Sequence, residues 1–141
     1  MLSQIFLVFW ACFIGVVVFA WWRGGTPERI GASAVLATAI IVEIIHASLP
    51  KSAQAGALLL TEGVLALTFL VAAMRYVRPW LGIAMVLEGI QFSLHAYFFV
   101  ADKPHNYLYS IVNNLITIGV LLCLVVGTWL NHRHKGSSAA S

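Results

Sequence analysis

Charge is what this sequence has least of: among 141 residues there are 8 Lys or Arg and 5 Asp or Glu, 9% in all. A chain so poor in charge, 61% hydrophobic and with a mean hydropathy of +0.93, lies outside the range of soluble globular proteins. Its formal charge of +3 has no basic face behind it. The cations are scattered singly or in pairs between apolar runs, which argues against a nucleic-acid partner. Cysteine is nearly absent too. Cys12 and Cys123 sit apart inside apolar segments without CxxC or Cys/His spacing, so they read as small buried hydrophobes. Heptad repeats and collagen-like or polyserine tracts are missing, and only 136–141 reads as a short loose tail. No serine has a glycine elbow or a recognisable base beside it, so nucleophilic catalysis has no support.

Proline is scarce and its placement is informative. Pro27, Pro50, Pro79 and Pro104 all fall between apolar runs, where a first helical turn or a break tolerates them. About 20 residues cross a hydrocarbon layer of about 30 Å, and five runs reach that length: 4–22, 28–49, 53–74, 79–100 and 107–130. Residues 1–135 therefore predict one all-α membrane domain, an up-down bundle of five transmembrane helices joined by short connections. Thr26 is expected to cap the second helix ahead of Pro27 and Glu28, and Ser52 to cap the third. The first run lacks a basic stretch ahead of it and a small-x-small cleavage site, so it predicts a retained helix.

Six of the 8 basic residues (Arg23, Arg29, Arg75, Arg78, Arg133, Lys135) lie on one side of this topology, against Lys51 and Lys103 on the other. The positive-inside rule then places the amino terminus outside and the carboxyl terminus in the cytoplasm, in a multi-pass protein of the plasma (inner) membrane. Trp80 and Trp129 at one face, and Tyr107 and Tyr109 at the other, are expected as interfacial anchors.

Against this background the polar residues within the spans stand out. Glu43, Glu62 and Glu88 are three of only 5 acidic residues, and a charge at mid-bilayer costs about 2.5–3.5 kcal/mol on insertion scales. Glu88, Gln91 and His95 share one face of the fourth helix, and Ser110, Asn113, Asn114 and Thr117 share one face of the fifth. All of these, with Glu43 and His46 of the second helix, are expected in the outer half of the bilayer. Turned to lipid they would lack partners, so they predict an inward-facing pocket lined by helices two to five, with the first helix, almost wholly apolar, as a scaffold or partner contact.

The chemistry admits several readings. Glu43 and His46 have the i, i+3 spacing of a di-iron or di-manganese helix, but the fourth helix carries Gln91 where the matching histidine is required. His46 and His95 invite bis-histidine ligation of haem b. A single divalent metal on His46, His95 and one of Glu43, Glu62 or Glu88 fits the residue types better. A small polar ligand held by Glu43, Glu62, Glu88, Gln91, His95, Asn113 and Asn114 needs no cofactor. A proton- or ion-coupled transporter or channel is a further reading, though no polar stripe continues to the other face. The scarcity of extramembrane mass suggests, beyond the lipid bilayer itself, a homo-oligomer or an accessory subunit or assembly factor of a larger membrane complex. The plainest alternative is that these groups only form packing hydrogen bonds of about 0.6–2 kcal/mol each.

Overall fold

The computed structural model describes residues 2–104 and 106–140, with side-chain surroundings for 3–104 and 106–136. Five helices follow one another: α1 Leu2–Arg23, α2 Thr26–Ser48, α3 Lys51–Arg75, α4 Pro79–Val100 and α5 Tyr107–Ala140. Each is long and apolar enough to cross a membrane, and no strand occurs among the described residues.

The helix ends differ from expectation by a few residues, and for physical reasons. Gly25, not Thr26, is the N-cap of α2, and its N–H donates to the Glu28 carboxylate at 2.8 Å. Pro50 precedes α3 with no side-chain cap, so Ser52 lies inside the helix. At its far end α5 runs past the expected end at Leu130 as far as Ala140, taking in most of the segment 136–141 expected to be loose; Ser141 lies outside the described residues.

Contacts between helix ends give the chain its alternation. At one end Arg23 Nη1 lies 3.2 Å from His132 Nε2, Trp80 Nε1 donates to Glu28 Oε1 at 3.2 Å and Arg78 Nη2 to Asn131 Oδ1 at 3.4 Å. That end collects the close of α1, α3 and α5 and the start of α2 and α4. At the opposite end Gln54 Nε2 donates to the Leu49 carbonyl at 2.9 Å, and Tyr109 of α5 meets His95 of α4. Successive helices thus run antiparallel, and α1 packs against both α2 and α5, closing the ring.

Guanidinium groups lie over aromatic rings at the first, arginine-rich end. Arg23 is 4.8 Å from the Trp22 ring, Arg29 5.8 Å from Trp21 and Arg133 4.9 Å from Trp129. Such pairs suit a headgroup region, where a ring wants one apolar side and one wet side.

The two halves of the bundle are filled differently. Toward the arginine-rich end lies an apolar core that includes Phe13, Val17, Ala32, Phe69, Leu81 and Leu124. Trp80 belongs to it: 5% exposed, it is a core residue and not the interfacial anchor expected. Glycine makes room for it, since a Cβ on Gly127 would stand 2.5 Å from the indole. Glu28 is fully buried beneath it, with both carboxylate oxygens satisfied by Trp80 and by the Gly25 N–H. The sequence places Glu28 merely in a first turn, so its burial is a finding of the fold. On the other side of this core the packing gives way to a cavity.

Candidate functional site

Two helices build the polar floor of this cavity from their own buried stripes. The buried face of α3 steps through Leu58, Glu62, Leu65, Phe69 and Ala72, and that of α4 through Leu81, Ala84, Glu88, Gln91, His95 and Phe98. Both follow alternating three- and four-residue steps, the spacing by which helices pack in a left-handed seam. Glu62, Glu88 and Gln91 therefore occupy places where hydrocarbon would ordinarily interdigitate. They are 5%, 3% and 5% exposed.

The space beside them is a cavity of about 530 Å³, within the range of small-molecule sites. Its polar lining is Glu62 from α3, Glu88 and Gln91 from α4, Asn113 and Thr117 from α5, and Thr38 from α2. Glu43 and Asn114 also line it, yet both are exposed, which puts them at its mouth. Phe13, Val35, Leu65 and Val120 belong at once to the cavity and to the apolar core, so the floor continues into the core.

Helix α1 does more than scaffold. Phe6, Phe9, Trp10 and Phe13 form one wall of the cavity, stacked so that Trp10 lies 6.1 Å from Phe6 and 5.5 Å from Phe13 between ring centroids. The pocket is thus lined by all five helices, not four. Apolar residues on an apolar helix give no periodic contrast, so nothing in the sequence marks this face as different from the lipid-facing one.

Hydrogen bonding within the floor is incomplete. Oε2 of Glu62, Oε2 of Glu88 and Oε1 of Gln91 are buried without a hydrogen-bond partner. Buried acceptors in folded proteins almost always have one, and leaving one unmade costs about 1–3 kcal/mol. Thr117 spends its hydroxyl on the Asn113 carbonyl at 3.0 Å, so it does not relieve them.

His95 is buried on the same stripe of α4 but is not part of the cavity lining. The Tyr109 hydroxyl lies 2.8 Å from its Nδ1, the two rings are edge to face at 5.2 Å, and its Nε2 stands 4.0 Å from Glu62 Oε1. Tyr109 is 7% exposed, a buried partner of His95 and not the interfacial anchor expected; Tyr107 and Trp129 are exposed, as anchors are. The signal for Tyr109 was present, because it stands four residues before Asn113 on the same face of α5.

His46 departs most from expectation. It is exposed and takes no part in the cavity, two residues from the end of α2, where its backbone carbonyl is 3.5 Å from Gln54 Nε2. Ser110 is likewise exposed. Neither His46 nor His95 lines the cavity, so the pair expected to clasp haem b does not face across it. Among the described residues no group of three or more His, Cys, Asp or Glu is gathered closely enough to hold a metal ion. Of the expected metal-ligand set, Glu43, Glu62 and Glu88 line the cavity while His46 and His95 do not.

Comparison of the chain with protein-family models, with curated proteins and with solved structures finds no match.

Proposed function

We propose that this chain is a multi-pass protein of the plasma (inner) membrane that binds a small amphipathic molecule inside the bundle, with its apolar body against the α1 aromatic wall and its polar head on Glu62, Glu88 and Gln91. One observation carries the reading: three buried side-chain oxygens without partners line a single cavity of ligand size. Glu62 and Gln91 are hydrogen-bonded to each other across the α3–α4 seam, yet one oxygen on each, and one on Glu88, is left over, more than packing alone asks for. Glu43, Asn113 and Asn114 stand nearer the mouth, and His95, backed by Tyr109, supports Glu62 from behind.

The six basic residues of the arginine-rich end against two at the other support a cytoplasmic location for that end. The cavity then opens in the outer half of the membrane. A one-sided cavity favours binding over conduction, since the apolar Phe13, Leu65 and Val120 separate its lining from the buried Glu28, Thr128 and Asn131 at the other end.

The test is calorimetric titration of the full chain in nanodiscs of neutral lipid with 2-phenylethylammonium, 2-phenylethanol and 3-phenylpropionate. These probes share a body and differ in head. Saturable binding of at least one, abolished when Val120→Trp fills the floor, is expected; no saturable binding of any of them removes the reading.

A further inference from the structure

Three carboxyl groups face this cavity from three different helices: Glu43 on α2, Glu62 on α3 and Glu88 on α4. Among the described residues no Lys, Arg or His lines it. The nearest basic side chain is His95, 4.0 Å from Glu62 and engaged by the Tyr109 hydroxyl. A carboxyl withdrawn from water either keeps its proton or ionises against a cation, and a cationic ligand supplies the second course.

The hydrogen-bonding inventory narrows the choice. Three buried acceptor oxygens, on Glu62, Glu88 and Gln91, lack donors. A primary ammonium offers three N–H donors and no acceptor, whereas a hydroxyl offers one donor and brings lone pairs of its own. A carboxylate head would meet only like charge. The wall opposite is aromatic, with Trp10 between Phe6 and Phe13, and ring faces attract cations, most strongly where water is excluded.

We infer that the ligand of this cavity is an organic ammonium, a protonated primary amine on an apolar body, recognised by Glu62, Glu88 and Gln91 at its head and by the α1 aromatic wall along its flank. This rests on the binding role proposed above and specifies its chemistry. Glu43 at the mouth meets the cation first.

Binding of this kind is pH-dependent with a fixed sign. The titratable groups on and around the floor are Glu43, Glu62, Glu88, His95 and Tyr109, and α1 contributes none among its described residues. Lowering the pH protonates carboxylates and removes the charge the cation needs. Protonating His95 sets a competing positive charge 4.0 Å from Glu62. Both effects weaken ammonium binding, and neither acts on a neutral alcohol in the same way.

The same three probes test the inference. In the unmodified chain 2-phenylethylammonium is expected to bind about tenfold or more tighter than 2-phenylethanol, as charge-assisted hydrogen bonds exceed neutral ones, with no saturation by 3-phenylpropionate. Glu62→Gln and Glu88→Gln should each bring the ammonium-to-alcohol affinity ratio down toward one, continued alcohol binding showing that the variant is folded. Should either variant fail to fold, the ratio in the unmodified chain, falling as pH is lowered, provides the same test. An alcohol bound as tightly as the ammonium, a ratio unchanged in the folded variants, or one that does not fall with pH overturns the inference and leaves the binding role standing. Absence of binding by all three probes overturns both.

Discussion

A side chain kept in an unfavourable place for the sake of a ligand leaves a thermodynamic trace that can be read without the ligand. Oε2 of Glu88 is buried without a hydrogen-bond partner, so removing the carboxyl should help the fold even as it harms the proposed binding. Glu88→Leu is expected to raise the thermal midpoint in detergent, by up to about 1–3 kcal/mol of stability, the usual penalty of an unmade buried bond. A lower midpoint in folded protein would show that the carboxyl serves packing. Tyr109→Phe should act in the other direction. It deletes the hydroxyl 2.8 Å from His95 and is expected to cost about 0.6–1.7 kcal/mol, the range for hydrogen bonds between membrane helices, measured by the same unfolding assay. How much of the site was legible also divides residue by residue. Glu62, Glu88 and Gln91 announce themselves as polar letters in an apolar stripe with helical spacing. His46 carries the same kind of signal and misleads, because a residue two positions from a helix end can turn away from the bundle. Phe6, Phe9, Trp10 and Phe13 send no signal, since burial against a cavity and exposure to lipid favour the same apolar residues.

At the scale of elements, the helices were readable because each must close its backbone hydrogen bonds within itself to cross a bilayer, which forces a long apolar run. The α4 limits match expectation residue for residue, at Pro79 and Val100, because proline opens the helix. What runs of hydropathy do not encode is how the helices meet. The α3–α4 contact relies on Gly63, where a Cβ would stand 3.1 Å from Phe92, while Gly82 and Gly89 on α4, seven residues apart as Gly56 and Gly63 are on α3, face open space. The α4–α5 contact relies on Gly127 against Trp80. These contrasts give a paired prediction. Gly127→Ala should destabilise by about 1–3 kcal/mol, as overpacking does, because the indole is held by its bond to Glu28 and cannot yield. Gly82→Ala should be neutral or stabilising by up to about 1 kcal/mol through helix propensity alone. Both are read from unfolding midpoints, and equal effects would contradict the packing described.

For the molecule as a whole, the distribution of charge and of packing coincide: the half next to the arginine-rich end is filled by packed side chains and the other half holds the cavity. The proposed orientation therefore decides from which side a ligand arrives. In a chain with Cys12 and Cys123 replaced by alanine, Lys103→Cys should react in intact cells with a maleimide that cannot cross the membrane, and Arg75→Cys only after permeabilisation. The reverse pattern would place the cavity mouth on the cytoplasmic side. The residues favour this handedness through a rule about insertion, not through any contact in the fold, which is why the bundle itself does not carry the answer.

The ring of contacts has a consequence for the order in which the protein comes into being. Its first helix packs against its last, and between them they supply the aromatic wall and the asparagine edge of one cavity. A ribosome delivers α1 long before α5, so through most of synthesis Phe6, Phe9 and Trp10 have only lipid or α2 to lie against. The cavity is consequently incomplete until α5 is in place. A chain stopped after Asp102 lacks the α5 side of that cavity, so under the proposed function binding of the probes would report completed assembly.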